Sequence, residues 1–537
     1  MSLPLIIHKD GTIYFYKKFS ASNEIEISNY LKKTTVQVQY TDKIEVYKIE
    51  NHSIASLLLM GGESKNEFIR FLNRYSYNEI PDVLMEHLKE IEENMKVVSL
   101  TLSKAEIIIR IMKGDPSFLE KDKKINDKLK SDSEKKLYTY PRKGNLKLIE
   151  RLAEKDVNIT FPTIDTDGTV DFNFKEDIIP RYYQTQAFDA LVHRKRGLTV
   201  MPVGSGKTYV AMNLIQYFKK VTLILCENKD NCLRWKEMLL KYLDISNKDI
   251  SVCINDSNIN KISKINIYTY DIIRTTTDDS IFERLFENNW GLVIYDDAHK
   301  VVTEKAVDLL YLKSTYKFAL DSTLSRTDGM ERSLLNLFGG ITYNISSDEL
   351  VNNLYQKRLE CYEVDLRNSD LSKFQFINYV LKSIEERSVL VVAYEIKDMD
   401  KIRAVSGIRV INQNTCDTER IHWVDEFNNG RLKRLCIGKL IENYPITNVD
   451  VMIAAGYRGR TEIEDSFRIG TLVSTPYRLN KITKSLMFYL INSDSDEEKV
   501  KSKEQYIYKW KVSLKKLDAN KLLGDDNFEF EREFGNL

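Results

Sequence analysis

A short segment with two glycines, MPVGSGKT at 201–208, constrains most strongly how this chain can fold. An apolar, strand-like run precedes it, and a helical pattern begins at Lys207. Glycines in such a segment let backbone N–H groups and the helix N-terminus close around phosphate oxygens, while a lysine reaches the terminal phosphates and a hydroxyl binds Mg²⁺. The usual spacing has a glycine where Met201 stands, but the strand-loop-helix context still predicts a nucleotide-binding loop. Its expected binding residues are Gly204, Ser205, Gly206, Lys207 and Thr208.

Short apolar runs alternate with helical patterns from about residue 176 onward. Fully apolar strands between helices are typical of a parallel sheet that helices cover on both faces. Such runs occur on both sides of about residue 350, so the sequence predicts an α/β fold with two lobes in tandem. The runs are LTVMPV, VTLILC, WGLVIY, YKFAL, SVLVVAY and VDVMIAA.

The first part of the chain has a different pattern. Two β-rich runs at 5–7 and 13–16 flank Asp10-Gly11, which is a hairpin signal, and helical spacing follows from Ile54 to Met95. The charged run at 121–136 has little apolar content and indicates an exposed linker or a solvated helix. The expected divisions are an N-terminal α+β module at 1–118, a charged linker and small connecting segment at 119–175, a first lobe at 176–350, a second lobe at 351–495 and a C-terminal helical tail at 496–537.

Charge and cysteine usage narrow the class of protein. Lys plus Arg number 80 and Asp plus Glu 79, so the net charge of +1 gives no global signature for nucleic acid or membrane. The six cysteines form no CxxC pair and the six histidines stand singly, so neither a zinc site nor a disulfide framework is indicated. No apolar run approaches the roughly 20 residues that span a bilayer. We therefore expect a soluble, cytoplasmic protein without a membrane partner.

Two aspartates, Asp296 and Asp297, follow the apolar run Leu292-Val293-Ile294. Phosphoryl transfer needs a second strand that delivers a carboxylate to the metal. We expect Asp296 to hold Mg²⁺, largely through water, and Asp297 to orient and deprotonate the attacking water. The alternative is that the pair caps a helix or belongs to an ordinary loop.

Further elements flank these two motifs. Arg181, Tyr183 and Gln184 precede the glycine segment, where a glutamine can read the adenine edge and an aromatic ring can stack on the base. Ser322 and Thr323 follow the run YKFAL, and their hydroxyls could couple the nucleotide site to a neighbouring lobe. We expect His299 to hydrogen-bond toward this hydroxyl-bearing segment rather than to ligate a metal.

The order of these motifs resembles the XPB family of superfamily 2 helicases, especially its bacterial members. The likeness covers nearly the whole chain. It includes PLIIHKDGTIYFY, RFLNRYSYNEIPDVLMEH, RYYQ, MPVGSGKT, INIYTYDIIRTTT, NWGLVIYDDAH, FALDSTLSRTDG, LIENYPITNVDVMI and EDSFRIGTL. The resemblance implies two RecA-like lobes that close on ATP and a 3′→5′ DNA helicase or double-strand translocase acting in repair, recombination or transcription-linked opening.

The resemblance also assigns roles. Gln184 would read adenine, Lys207 and Thr208 would hold phosphate and Mg²⁺, and Arg468 would belong to the last catalytic motif. The expected ligands are ATP and Mg²⁺, and the expected partners are DNA and a nuclease or transcription or repair proteins, with the chain acting as a monomer or as a subunit of a complex. DNA contacts would come from Thr269, Tyr270 and Arg326.

Several motifs depart from the family pattern. Asp297 replaces a glutamate, so its carboxylate is one methylene shorter and lies roughly 1.5 Å back, a displacement that can cost ~100-fold in rate. The last motif, 467–474, keeps Arg468 but lacks two of three arginines, and an arginine finger is worth about 10³–10⁵ in turnover unless Arg458 or Arg460 substitutes. Two further segments also differ, Asn443-Tyr444-Pro445 and Arg326-Thr327-Asp328. These losses favour an alternative, a catalytically weakened subunit that binds ATP and DNA in a repair, transcription or defence assembly.

Overall fold

The computed structural model describes most of the chain, and its contacts divide into two compact units. The first comprises Met1–Met201 and Gly206–Ile345, and the second comprises Pro202–Ser205 and Ser346–Leu537. The described residues are 3–20, 23–40, 43–49, 62–132, 137–166, 169–175, 178–192, 194–253, 262–272, 285–322, 330–353, 355–385, 387–438, 446–457, 462–473, 484–509 and 512–519.

The first unit begins with a four-stranded antiparallel sheet of order β1-β2-β4-β3. Its strands are β1 (Leu5–Ile7), β2 (Thr12–Tyr16), β3 (Val36–Tyr40) and β4 (Ile44–Lys48), with helices α1 (Glu24–Thr34), α2 (Gly62–Tyr75) and α3 (Asp82–Asn94). Gly11 has φ +81° in the tight turn between β1 and β2, which confirms the predicted hairpin. Phe68, Leu72, Leu84 and Leu88 bury the apolar faces of α2 and α3 in the core of this sheet.

A second, mixed sheet follows in the order β7-β8-β6-β5-β9. Its strands are β5 (Lys96–Leu102), β6 (Glu106–Lys113), β7 (Lys130–Asp132), β8 (Leu137–Pro141) and β9 (Val157–Thr160), with helices α4 (Ser117–Glu120) and α5 (Asn145–Glu154). This sheet, 96–160, is called the second module below. The expectation of a linker at 119–175 was wrong for this part of the chain, because three of the five strands and α5 lie inside it. The charged run has few apolar residues, but Ile125 is buried and Leu129 packs partly buried against the core, which Tyr138 and Tyr140 join after the run.

The first lobe contains a seven-stranded sheet, all parallel, of order β12-β13-β11-β14-β15-β10-β16. Its strands are β10 (Arg196–Val200), β11 (Thr222–Cys226), β12 (Ile250–Cys253), β13 (Ile265–Thr269), β14 (Trp290–Asp296), β15 (Ser314–Asp321) and β16 (Ile341–Asn344). The helices that accompany it are α6 (Tyr182–Val192), α7 (Lys207–Phe218), α8 (Lys229–Tyr242) and α9 (Glu331–Phe338). Because β15 lies between β10 and β14, the carboxyl ends of these three strands meet at one edge of the sheet.

The second module shares one hydrophobic core with this sheet. Polar contacts join the two as well. Arg142 Nε lies 2.7 Å from Asp308 Oδ2, Asn145 Nδ2 donates to Asp308 Oδ1 at 2.8 Å, and Tyr311 Oη donates to Asn145 Oδ1 at 2.7 Å. The second module is therefore an integral part of the first unit.

The second unit contains another seven-stranded parallel sheet, of order β19-β20-β18-β21-β22-β17-β23. Its strands are β17 (Arg358–Asp365), β18 (Val389–Val392), β19 (Arg409–Ile411), β20 (Arg434–Ile437), β21 (Val451–Ala454), β22 (Lys484–Ile491) and β23 (Leu514–Leu517). Its helices are α10 (Ser347–Asn352), α11 (Lys373–Ser383), α12 (Ile396–Ser406), α13 (Asp417–Asn428), α14 (Glu462–Val473) and α15 (Asp494–Lys509). The expected helical tail at 496–537 is only partly helical, because β23 pairs with β17 and joins the sheet.

The two parallel sheets confirm the predicted α/β fold, in which two lobes follow an N-terminal α+β region along the chain. In the described part of the chain, no helix is both long and apolar enough to cross a membrane.

Candidate nucleotide site

The glycine segment leaves the carboxyl end of β10 and enters α7. Gly204 has φ +79° and Gly206 has φ +87°, a backbone region that residues with a Cβ adopt at a cost. Lys207 begins α7, and its Nζ donates to the carbonyl oxygen of Met201 at 3.1 Å. The lysine therefore folds over its own loop, in the position from which it can transfer its hydrogen bonds to a phosphate.

Gln184 lies beside this loop. The backbone N–H of Arg181 donates to Gln184 Oε1 at 2.9 Å, and a Cβ added to Gly206 would lie 2.2 Å from Gln184 Nε2. The predicted adenine-reading glutamine and the loop are thus adjacent. Tyr183 is fully buried, and Arg181 Nη1 donates to its hydroxyl at 2.9 Å, so this ring braces Arg181 and has no face exposed for stacking on a base.

The acidic pair ends β14 at the same edge of the sheet. Trp235, on α8, donates its indole Nε1–H to Asp296 Oδ2 at 2.7 Å, and Tyr270 Oη donates to the Asp296 carbonyl at 2.8 Å. Asp297 has φ +49°, a left-handed conformation that aspartate tolerates better than most residues, and it precedes the 3₁₀ turn Ala298–Val301. Both acids therefore have fixed backbone positions, and Asp296 has one carboxylate oxygen already bonded.

Burial dominates the electrostatics of this pair. It raises the pKa of Asp296 above its ordinary value, against the opposing effects of the Trp235 hydrogen bond and the Lys207 charge. Burial, together with the charge of Asp296, raises the pKa of Asp297 to about 7. The site therefore holds negative charge at an energetic cost, which a cation or a hydrogen-bond donor would offset.

His299 contacts Asp321, the last residue of β15. The backbone N–H of His299 donates to Asp321 Oδ2 at 2.7 Å, and its Nδ1 lies 3.1 Å from both carboxylate oxygens. Burial alone would lower the pKa of His299, but the charge and hydrogen bond of Asp321 raise it above its ordinary value. We expected the partner segment to be Ser322-Thr323; the partner found is one residue earlier, and Ser322 donates its N–H to the same carboxylate at 2.8 Å.

Sequence reasoning missed two residues of this site, Asp321 and Trp235. Asp321 directly follows the predicted strand YKFAL, so its place beside the acidic pair could have been found from the parallel strand order. The role of Trp235 could not have been predicted from the sequence. Its bond to Asp296 joins residues 61 positions apart, and only the packed orientation of α8 brings the indole to this carboxylate.

The DNA-contact residues assigned by resemblance are placed differently. Thr269 and Tyr270 are buried at 3% and 4% exposure, and the hydroxyl of Tyr270 is engaged by the Asp296 carbonyl. Their side chains therefore belong to the interior of the first lobe, because β13 is an inner strand of the sheet with neighbours on both sides. This corrects the expectation that these two side chains face DNA.

In the second unit, Arg468 lies on α14 and is fully buried. Its Nη2 donates to Tyr394 Oη at 3.0 Å and to the Gly456 carbonyl at 3.3 Å. Its catalytic role stays a prediction. The other predicted positions, namely Thr323, Arg326-Thr327-Asp328, Asn443-Tyr444-Pro445, Arg458 and Arg460, lie outside the described residues.

The donor set suits a divalent cation that prefers oxygen. The Thr208 hydroxyl, in the first turn of α7, and the Asp296 carboxylate are the ligand types that Mg²⁺ uses at nucleotide sites. A second cluster, Asp297, His299 and Asp321, brings ligand atoms within 4.8 Å of one another. In this second cluster, His299 Nδ1 already contacts both Asp321 carboxylate oxygens at 3.1 Å.

Comparisons with known proteins agree with the motif order. Residues 177–326 match the family described as "Type III restriction enzyme, res subunit". The chain is 22% identical, over 94% of its length and 90% of the relative, to the general transcription and DNA repair factor IIH helicase/translocase subunit XPB of Enterocytozoon bieneusi. It is 23% identical, over 71% of its length and 72% of the relative, to the DNA 3′-5′ helicase XPB of Kineococcus radiotolerans. Among solved structures, S. cerevisiae Dbp5 bound to RNA and ADP BeF3 is 13% identical, with a TM-score of 0.47, over 66% of this chain and 92% of that one.

These relatives occur in bacteria and eukaryotes, and the first of them covers 94% of this chain. In sequence, the chain is thus similar to XPB helicases over most of its length.

Proposed function

We propose that this chain is an ATP-dependent DNA helicase or double-strand translocase of the XPB type, with 3′→5′ polarity, acting in repair, recombination or transcription-linked opening of DNA. One observation carries the proposal: Gln184, the phosphate loop with Lys207 and the acidic pair converge on one edge of a parallel sheet. The names of the relatives, "DNA 3′-5′ helicase XPB" and "helicase/translocase subunit XPB", support the choice of reaction and substrate.

The proposed roles follow from the chemistry of each side chain. Gln184, supported by Arg181 and Tyr183, recognises adenine. Its amide has both a donor and an acceptor, and these match the donor and acceptor atoms on the adenine edge. The backbone N–H groups of Gly204, Ser205 and Gly206 and the Lys207 ammonium bind the phosphates. Thr208 and Asp296 hold Mg²⁺, which when bound neutralises phosphate charge. Arg468 serves the last motif, and His299, Ser322 and Thr323 couple the site to movement.

The hydrolytic step needs an acceptor for one proton. The attacking water gives a proton to the Asp297 carboxylate while its oxygen bonds to the γ-phosphorus. The bond from that phosphorus to the bridging oxygen breaks, and ADP and phosphate leave. Because Asp297 is shorter than glutamate and two arginines of the last motif are absent, we expect turnover below that of an enzyme with the full motif.

The first test is steady-state ATP hydrolysis with and without single-stranded, forked and duplex DNA. We expect DNA-stimulated turnover that falls by ~100-fold or more in Lys207→Ala, because the lysine meets charge that develops in the transition state. Lys241→Ala, which removes an exposed lysine from α8 in the same lobe, is the matched control. ATP binding without turnover above the Lys207→Ala background would reject the motor and leave an ATP-gated DNA-binding subunit.

Polarity has its own assay. If the chain moves 3′→5′, it displaces a strand from a duplex with a 3′ single-stranded tail and not from one with a 5′ tail. A motor that acts on duplex DNA would instead displace a triplex-forming strand without separating the duplex. Equal activity on both tailed substrates would contradict the proposed polarity.

A further inference from the structure

Asp321 is a buried carboxylate at the centre of the nucleotide site. It ends β15 with no exposed surface, between the strand that enters the phosphate loop and the strand that ends in the acidic pair. Val200 of β10 pairs with it, and the next backbone N–H, that of Met201, donates to the Asp321 carbonyl at 2.9 Å. A charged group placed there is costly to bury unless hydrogen bonds compensate it.

His299 bonds to this carboxylate through both its main chain and its ring. Three of its contacts are to His299, through the backbone N–H at 2.7 Å and through Nδ1 at 3.1 Å to each oxygen, and Ser322 N–H supplies a fourth at 2.8 Å. Because the main chain and the ring of His299 bond to the same carboxylate, both the position and the orientation of the imidazole are fixed. Asp321 is thus built to hold His299.

The held imidazole lies next to Asp297. Ligand atoms of Asp297, His299 and Asp321 lie within 4.8 Å of one another. Two carboxylates at such a short distance repel each other, and the positive charge of a protonated imidazole in the same cluster relieves that repulsion. His299 is therefore placed to keep the Asp297 carboxylate where a water proton can reach it.

We propose that Asp321 is a positioning residue that acts through His299 on Asp297. By holding the Asp297 carboxylate in place, this arrangement compensates in part for a side chain that is shorter than that of glutamate. The inference rests on the proposed ATP hydrolysis. It explains why an acid stands at the end of β15, directly before the hydroxyl pair Ser322-Thr323, in a chain whose acidic motif has the shorter side chain.

A double-mutant cycle tests this relation. Asp321→Asn keeps the shape but weakens the hold on His299, and we expect kcat to fall about 10-fold or more with little change in KM. In an Asp297→Glu background, where the side chain has full reach, the same substitution should cost less than about 3-fold. Equal losses in both backgrounds, which would mean additive effects, would overturn the proposal.

Two further comparisons exclude a merely structural effect. Asp321→Asn added to His299→Gln should cause no further loss, because Asp321 acts through the histidine; a full additional loss would reject this route. Asp249→Asn removes a carboxylate just before β12, at the opposite edge of the sheet, and its effect should be the same in the wild-type and Asp297→Glu backgrounds. If Asp321→Asn does not fold, His299→Gln in the two Asp297 backgrounds replaces it in the cycle.

The failure of the proposed function can be told apart from the failure of this inference. If the wild type shows no hydrolysis that depends on Lys207, the proposed function fails. The contact is then tested by NMR of the full chain with ¹³C-labelled histidine, in which the His299 signal is identified from its loss in His299→Gln. We expect the chemical shift of this signal to change in both Asp321→Asn and Asp297→Asn. An unchanged chemical shift in either variant would reject the coupling of the three residues.

Discussion

At the scale of single residues, the nucleotide site depends on uncharged hydrogen-bond donors that fix the orientation of its carboxylates. Trp235 bonds one oxygen of Asp296, so the orientation of the carboxylate is fixed and its other oxygen can face a metal. Second-layer bonds of this kind set the geometry of metal ligands and are sensitive to small changes. The indole is 3% exposed, so it contributes packing as well as its N–H.

Trp235→Phe separates these two contributions, because phenylalanine keeps an apolar ring and removes the donor. We expect Mg²⁺-dependent binding of a non-hydrolysable ATP analogue to weaken about 10–100-fold. The measurement is a Mg²⁺ titration at fixed analogue concentration, followed by calorimetry. Trp423→Phe, which changes a tryptophan of the second unit whose ring faces Arg409, serves as the control. Equal Mg²⁺ dependence in the two variants would exclude the positioning role of Trp235.

At the scale of elements, the start of α7 determines where two sequence motifs meet. Gly206 precedes the helix with φ +87°, and the absence of a Cβ there leaves room for the amide of Gln184. A glycine is therefore required at this position for two reasons: the backbone is left-handed, and the Gln184 amide lies where a Cβ would be. Only the first is visible in the sequence.

Gly206→Ala should therefore harm the site more than the backbone strain alone explains. Its Cβ would meet Gln184 Nε2 at 2.2 Å, so the glutamine must move, and we expect weaker ATP binding with reduced preference for ATP over GTP. Gly407→Ala is the matched control, because Gly407 has φ +68° but nothing within 4 Å of its added Cβ. Both variants carry a strain cost of about 1–2 kcal/mol, seen in thermal melting. Unchanged base preference in Gly206→Ala would contradict the assigned place of Gln184.

At the scale of the whole molecule, the first unit buries a lysine side chain where its parts share a hydrophobic core. Lys317 of β15 donates to the Leu310 carbonyl at 2.8 Å and lies 4.5 Å from the Phe161 ring centroid, just after the second module. Burial, together with the charge of Arg196, lowers the pKa of Lys317 from its ordinary 10.5 to about 7. The folded protein therefore prefers this lysine uncharged above neutral pH.

Lys317 makes stability depend on pH in a defined direction. Between about pH 7 and 10.5 the unfolded chain binds a proton that the folded chain does not, so the free energy of unfolding rises with pH in this window and the contribution is constant below it. In Lys317→Met we expect this slope to decrease by up to ~1.4 kcal/mol per pH unit. Urea unfolding at pH 7, 8 and 9, with tryptophan fluorescence as the probe, measures it for both proteins. Parallel slopes would show that Lys317 does not titrate in this window.

The sequence by itself determined what depends on local pattern. The apolar runs became β10, β11, β14, β15, β18 and β21, and the glycine segment became a loop before α7, because strand and helix periods and positive-φ glycines are properties of consecutive residues. The tertiary structure alone decided what depends on distant pairing. It turned the expected linker into strands of the second module, moved Thr269 and Tyr270 into the interior, and brought Trp235 to Asp296 and His299 to Asp321. Each of these features depends on contacts between side chains or strands that are far apart in the chain. Many pairings are possible for them, and the assembly of the sheets around a common core selects one.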